Sequence, residues 1–234
     1  MKKLLVFSAV ATMVVSSHAQ VSPIINEFSI STVGTDFEYF EIFANANQDL
    51  SNFWILQIEG DTNANKNIVT ATQAGVADAN GYYLASLAAN TVQNGTLSLL
   101  LVSGFSGSVG TNLDANNDGV LDSTPWANLF DSVAVNDGGA GDLTYSNVVL
   151  GVSYDGFPFA PGGASRIPNG VDTDSVSDWM RNDFDLAGIP GFTGTPIEGE
   201  ALNTPGAVNQ PVPEPATLAA LGLGAVALIR RKRK

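Results

Sequence analysis

The sequence predicts an all-β body, a sandwich or a barrel, and three observations carry that prediction. Its apolar residues fall in short runs rich in β-branched and aromatic side chains. Each run is bounded by clusters of Gly, Asn, Asp or Pro, which interrupt strands and favour turns. Between two terminal segments, no stretch keeps an amphipathic helical period for more than two turns. Short strands separated by regular turn signals are the pattern of packed sheets.

Residues 24–30 read as the first strand, apolar with partial alternation. Residues 38–43 and 53–58 follow, each dominated by aromatic and branched side chains. Residues 81–85 and 96–102 come next, then 130–135 and 148–154. From 155 to 209 the strand signal thins and Pro and Gly accumulate, which predicts long loops with one or two late strands. Residues 203–214 read as a linker extended by its prolines.

The two ends are addresses rather than fold. Lys2 and Lys3 precede an apolar stretch at 4–15, and Ser17-His18-Ala19 supplies small residues before a cleavage point. This is the pattern of an N-terminal signal peptide, residues 1–19, handled by the Sec translocon and cut between Ala19 and Gln20. At the other end, Pro213-Glu214-Pro215 leads into an unbroken apolar run at 216–229, and five basic residues, Arg230-Arg231-Lys232-Arg233-Lys234, close the chain. A helix over 216–229 is ~21 Å long, short of the ~30 Å hydrocarbon core. Gly222 and Gly224 weaken it further. The expectation is a single membrane-spanning helix of marginal strength, suited to holding the chain briefly at the inner membrane. The basic tail stays in the cytoplasm and the body is translocated. The body domain spans 21–209 and the C-terminal signal 210–234.

Within the body only Lys66, Arg166 and Arg181 are basic, against 22 carboxylates, a formal charge of −19. Such a body repels phosphate backbones, so nucleic acid is excluded as a partner. Cysteine is absent, and the one histidine, His18, lies in the signal peptide. The mature chain therefore lacks Ser-His-Asp and Cys-His catalysis and any histidine- or thiolate-bound zinc or haem. Only carboxylate chemistry is left, and no set of residues reads as catalytic; the expectation is that the protein is not an enzyme.

One segment has metal-ligand spacing. Asp114, Asn116, Asp118 and Asp122 place oxygen side chains at positions 1, 3, 5 and 9 of a loop. Gly119 falls at position 6, where the chain must turn, and Val120 at 7 can offer its carbonyl. That is the order of an EF-hand-type calcium loop, and calcium takes six to eight oxygens. Position 12 is Pro125, so the bidentate glutamate is missing, and Asp131 is a candidate to supply it. Lacking flanking helices, the loop resembles the calcium loops of dockerin and thrombospondin type 3 repeats. An ordinary hairpin turn is the competing explanation, since Asn-Asp-Gly favours one.

Weaker constellations accompany it. Asp172, Asp174 and Asp178 echo the pattern without its glycine and read as a solvated loop. Glu27, Glu38 and Glu41 could suggest a glycosidase-like group, but acidic residues on the outer face of strands are ordinary. Trp54, Trp126 and Trp179, with Tyr82 and Tyr83, could stack on sugar rings, though such aromatics are more often core. Asn94-Gly95-Thr96 is a sequon too short to weigh.

Two resemblances follow from these motifs. Pro-Glu-Pro, apolar helix and arginine-rich end together resemble the PEP-CTERM sorting signal. That implies recognition by an exosortase, cleavage near the motif, and delivery to the cell surface or extracellular matrix of an exopolysaccharide-producing, Gram-negative bacterium. In the body, Ile24-Ile25-Asn26-Glu27-Phe28, Glu38-Tyr39-Phe40-Glu41-Ile42 and Leu50-Ser51-Asn52-Phe53-Trp54-Ile55-Leu56 resemble the opening of a bacterial lamin-tail-like domain. Ser165-Arg166-Ile167-Pro168-Asn169-Gly170 and Thr204-Pro205-Gly206-Ala207-Val208-Asn209 resemble its close. The middle, from 60 to 163, is longer than the family core, and Ala44-Asn45 stands where the family usually has Asn. This resemblance implies an immunoglobulin-like β-sandwich, here with long loops, used for tethering or binding. The combined expectation is an exported structural or adhesive domain, its long loop stiffened by calcium, with exopolysaccharide or other surface proteins as partners. The alternatives are a carbohydrate-binding module or a secreted carboxylate-only hydrolase acting on exopolysaccharide.

Overall fold

The chain from 97 to 103 is apolar at most positions because both of its faces are buried. The computed structural model describes residues 21–212; the signal peptide with Ala19 and Gln20, the Pro213-Glu214-Pro215 motif and the 216–229 run lie outside the described residues. Ten strands form: β1 (Ile24–Ser29), β2 (Tyr39–Phe43), β3 (Phe53–Glu59), β4 (Ile68–Gln73), β5 (Tyr82–Ser86), β6 (Leu97–Ser103), β7 (Asn128–Asn136), β8 (Val149–Gly151), β9 (Gly163–Arg166) and β10 (Trp179–Arg181). They make two five-stranded sheets, ordered β10-β9-β1-β2-β5 and β4-β3-β6-β7-β8. Every pairing is antiparallel except β7 with β8. Among the described residues the only helical turn is Val176–Asp178, and no helix is long and apolar enough to cross a membrane.

The sheets pack as a sandwich. Side chains two apart share a face of a strand. Leu97, Leu99 and Leu101 of β6 therefore enter one core with Ile55 of β3, Val133 and Val135 of β7, and Ile25, Phe28, Phe40 and Ile42 of the first sheet. The alternate residues Leu100 and Val102 join Leu56 and Ile58 on the outer face of the second sheet. There the 104–126 loop, through Phe105, Leu113, Leu121 and Trp126, covers them. Long loops thus do the work of a third layer, so the continuous apolar run of β6 is consistent with a strand buried on both sides.

The first sheet is covered too, by the C-terminal segment. Tyr39 of β2 packs outward against Leu186 and Ile189, and Asn203 and Asn209 are buried. The linker expected at 203–214 is therefore corrected for 203–212. Leu202 donates from its N to Gln210 O at 2.9 Å, and Val212 N donates to Glu200 O at 2.7 Å. Backbone groups that a linker would give to water are here satisfied within the fold.

Other differences are local. β4 was not expected, since after Ile68-Val69 it is the polar, half-buried edge Thr70-Ala71-Thr72-Gln73. The strand expected at 148–154 shortens to β8, because the chain turns at 151–156. β9 and β10 are the late strands. Asn26 is a bulge: Ile25 pairs with Ile42 but Glu27 pairs with Glu41, leaving one extra residue in β1.

Candidate functional site

The cross-strand pair Glu27 and Glu41 points away from the sandwich core, as alternation from Phe28, Phe40 and Ile42 requires. Both were expected on a solvated face. Instead both are fully buried beneath the 203–209 segment, which overturns that expectation. Glu27 Oε1 accepts from Thr204 N at 2.9 Å and from the Tyr39 hydroxyl, and Oε2 accepts from the Thr204 hydroxyl at 3.0 Å. Glu41 Oε1 accepts from Asn26 Nδ2 at 2.7 Å and Oε2 from Gly206 N at 2.6 Å. Gly206 has φ +78°, a left-handed turn that lets its N–H face the carboxylate. Burial, followed by the charge of Glu27, pushes Glu41 up to about 8. Burial raises Glu27 as well, although four hydrogen bonds draw it back.

The 165–170 and 204–209 motifs join the same network, while 50–56 leads into β3 of the other sheet. Asn209 Nδ2 donates to Asn26 O at 2.9 Å and Arg166 O at 3.1 Å, and Asn209 N donates to Asn169 Oδ1 at 2.9 Å. Asn26 Oδ1 accepts from Gly170 N at 3.0 Å. The segments 24–28, 38–42, 165–170 and 204–209, far apart in sequence, therefore meet at one polar seam. Glu38 stands apart: its Oε2 accepts from Thr91 N and Val92 N, both at 2.9 Å, and tethers the 87–95 loop.

All three cations of the described residues are interior. Arg166 stacks over Trp179 at 4.4 Å and pairs with Asp131, Asp172 and Asp178. Arg181 pairs with Asp155 at 2.6 Å and lies 4.3 Å over the Phe157 ring. Lys66 is buried, with its Nζ donating to the carbonyls of Gly60 and Asp61. No Lys or Arg among the described residues is left for the surface, whose charged side chains are therefore all carboxylates.

The 114–122 loop is built as the spacing predicts at its turn: Asn117 and Gly119 have φ +54° and +83°. Asp114 is buried and central. Its Oδ2 accepts from Gly119 N at 2.9 Å and the Tyr145 hydroxyl at 2.8 Å, and its Oδ1 from Asp118 N at 3.2 Å. Asn116 Oδ1 accepts from Asp118 N at 3.1 Å, Asp118 Oδ1 from Val120 N at 2.9 Å, and Asp122 Oδ2 from Ala115 N at 2.8 Å. Burial works against the charge of Asp114, but the Tyr145 and backbone donors hold its carboxyl below the usual range. Asp131 does not join this loop. It is engaged by Arg166 and by Ile25 N at 2.7 Å, which corrects its candidacy as a further ligand.

A second carboxylate cluster was not legible in the sequence. Asp61, Asp137 and Asp142 bring carboxylate oxygens within 4.8 Å of one another, close enough to hold a hard cation. Asp61 follows β3, and the other two follow β7. The Thr96 hydroxyl lies 2.6 Å from Asp142 Oδ2 and 3.0 Å from Asp137 Oδ1, and Thr62 N donates to Asp142 Oδ1 at 2.9 Å. These hydrogen bonds, Thr96 first, hold Asp142 down at about 2. The only local signal is a pair of aspartates around glycines, Asp137-Gly138-Gly139-Ala140-Gly141-Asp142; the third member is distant.

Asp172 and Asp178 are bound to Arg166 rather than forming a solvated loop, and Asp174 is exposed. Trp179 and Tyr82 are buried, while Trp54, Trp126 and Tyr83 are half-buried.

No curated protein and no solved structure matches the chain. Residues 211–234 match the PEP-CTERM protein-sorting motif. The match begins at Pro211, two residues before the Pro213-Glu214-Pro215 motif and inside the last bridge of the fold, Ala201 with Pro211. It marks the chain as exported, sorted by exosortase and held transiently by its C-terminus before processing.

Proposed function

We propose that the body is a non-catalytic structural or adhesive β-sandwich of the cell surface or extracellular matrix. The observation that carries this reading is the sealing of Glu27 and Glu41. They are the one adjacent glutamate pair of the sheet, and the 203–209 segment covers both and satisfies their oxygens. General acid and base need access to substrate, and this pair has none. A surface whose charged groups are all carboxylates supports solubility and association with cations or neutral polymers rather than with nucleic acid.

The lamin-tail-like reading is supported by the convergence of four of its five motifs, 24–28, 38–42, 165–170 and 204–209, on one seam; the fifth, 50–56, leads into the other sheet. Calcium belongs to the proposal at the 114–122 loop, through Asp114, Asn116, Asp118, Asp122 and the Val120 carbonyl. The signal peptide, passage through the Sec translocon and an exopolysaccharide partner complete it.

The test is a glycan array and a hydrolase panel run on processed protein recovered from the cell surface. The expected result is no turnover of polysaccharide, ester or phosphodiester. Turnover abolished by Glu27→Gln or Glu41→Gln would overturn the reading in favour of a carboxylate-only hydrolase. Saturable binding of one glycan class would bear out the polysaccharide partner and narrow the adhesive role to that of a carbohydrate-binding module.

A further inference from the structure

A groove of about 700 Å³ opens at one end of the sandwich. Its wall carries the exposed side chains Phe159, Phe184 and Ile197, at 55%, 48% and 54% exposure. The exposed carboxylates of Asp137 and Asp185 line the same groove, while Asp183, Glu200 and Arg181 are buried in its floor. The end is identified by its neighbours: Ile30 follows β1, Gly95 precedes β6, Asp137 follows β7 and Asn182 follows β10. Three large apolar side chains gathered on one anionic domain call for a covering surface.

The path of the chain says what covers it. Val212 donates from its N to Glu200 O, so the chain leaves the fold beside this groove. Only Pro213-Glu214-Pro215 then separates Val212 from the apolar run at 216–229. Four Cα–Cα steps reach at most ~14 Å even when fully extended. The headgroup layer on each side of a bilayer is itself ~5–8 Å thick. With the C-terminus anchored, the end of the sandwich holding Glu200 cannot stand clear of the membrane.

We infer that the Phe159–Phe184–Ile197 face is the membrane-facing surface of the anchored protein, seated on zwitterionic, ammonium-bearing lipid headgroups. Aromatic and branched side chains partition favourably into the interfacial layer. The exposed Asp137 and Asp185 carboxylates face the headgroup ammonium, and the same two would be repelled by an anionic headgroup. Seating fixes the orientation in which the Pro213-Glu214-Pro215 motif is presented at the bilayer. The inference rests on the anchoring reading, and its test separates the two.

The chain has no cysteine, so single labels can be placed without background. Full-length Phe184→Cys and Ile197→Cys proteins carry a nitroxide and are reconstituted into phosphatidylethanolamine–phosphatidylcholine vesicles. Val76→Cys and Phe130→Cys, at the opposite end beside β4 and β7, serve as references. Each variant is first checked for an unchanged thermal midpoint. Flotation reports anchoring, and relaxation by oxygen against a water-soluble nickel complex reports depth. The expected result is flotation of all four, with the oxygen-to-nickel ratio severalfold higher at 184 and 197 than at 76 and 130. Flotation with equal ratios at all four positions overturns the membrane-facing surface alone. Failure to float overturns the anchoring, and the inference falls with it.

Discussion

Arg166 of β9 grips Asp131 of β7 from the opposite sheet, its Nη2 lying 3.0 Å and 2.9 Å from the two carboxylate oxygens. Arg166 is fully buried, and Asp131 also accepts from Ile25 N of β1. The pair is therefore a clamp between the sheets as well as an ion pair.

Removing one partner leaves the other charge buried and unmatched, which costs ~3–5 kcal/mol. Arg166→Met is expected to lower stability by that amount in urea titration. The double variant Arg166→Met/Asp131→Leu is expected to recover part of the loss, because Asp131 no longer stands unmatched while Asp172 and Asp178 still lack their cation. A single variant within ~1 kcal/mol of wild type would place the pair among the weak surface bridges.

The Glu41 carboxyl sets a pH dependence. Its folded-state value of about 8 lies above the ordinary 4.5, so the folded chain retains a proton that the unfolded chain releases. The stability it contributes is full below pH 4.5 and is lost as pH rises through about 8. Stability is expected to be higher at pH 5 than at pH 8.5, by up to ~4 kcal/mol from this site at ~1.4 kcal/mol per pH unit, and thermal midpoints should fall accordingly. Repulsion within the −19 body slopes the same way, so the site-specific readout is the flattening caused by Glu41→Gln. Parallel pH curves for variant and wild type would remove Glu41 as the cause.

Calcium is expected to raise the thermal midpoint, and two variants assign the place. A ligand present at ten times its Kd adds ~1.4 kcal/mol to the state that binds it. Asp118→Ala removes a ligand from the 114–122 loop and spares the Gly119 turn. Asp142→Asn weakens the Asp61–Asp137–Asp142 cluster. Loss of the calcium-dependent gain in Asp118→Ala alone supports the loop; loss in Asp142→Asn alone moves the ion to the cluster. Identical wild-type melts in calcium and in chelator would leave both as ordinary acidic turns.

Processing is expected to remove both ends. Intact-mass measurement of surface material should give a chain starting at Gln20 and lacking residues 230–234. Recovery of a species that still carries Arg230 to Lys234 would contradict processing at the C-terminal motif.

The sequence by itself determined the all-β class, the alternating face of Phe40 and Ile42, the Gly119 turn and the C-terminal sorting motif. Each of these is local: period-two alternation, a left-handed turn residue, or a contiguous motif is written in neighbouring positions. What only the tertiary structure decided is where the charged side chains went. Glu27 and Glu41 look like surface residues because nothing near them in sequence announces the 203–209 segment that buries them. Asp131 looks like a spare calcium ligand until Arg166 arrives from β9. Asp61 joins Asp137 and Asp142 only because β3, β6 and β7 are neighbours in one sheet. Burial of an ionisable group depends on partners brought from far along the chain, and a single sequence does not order those partners in space.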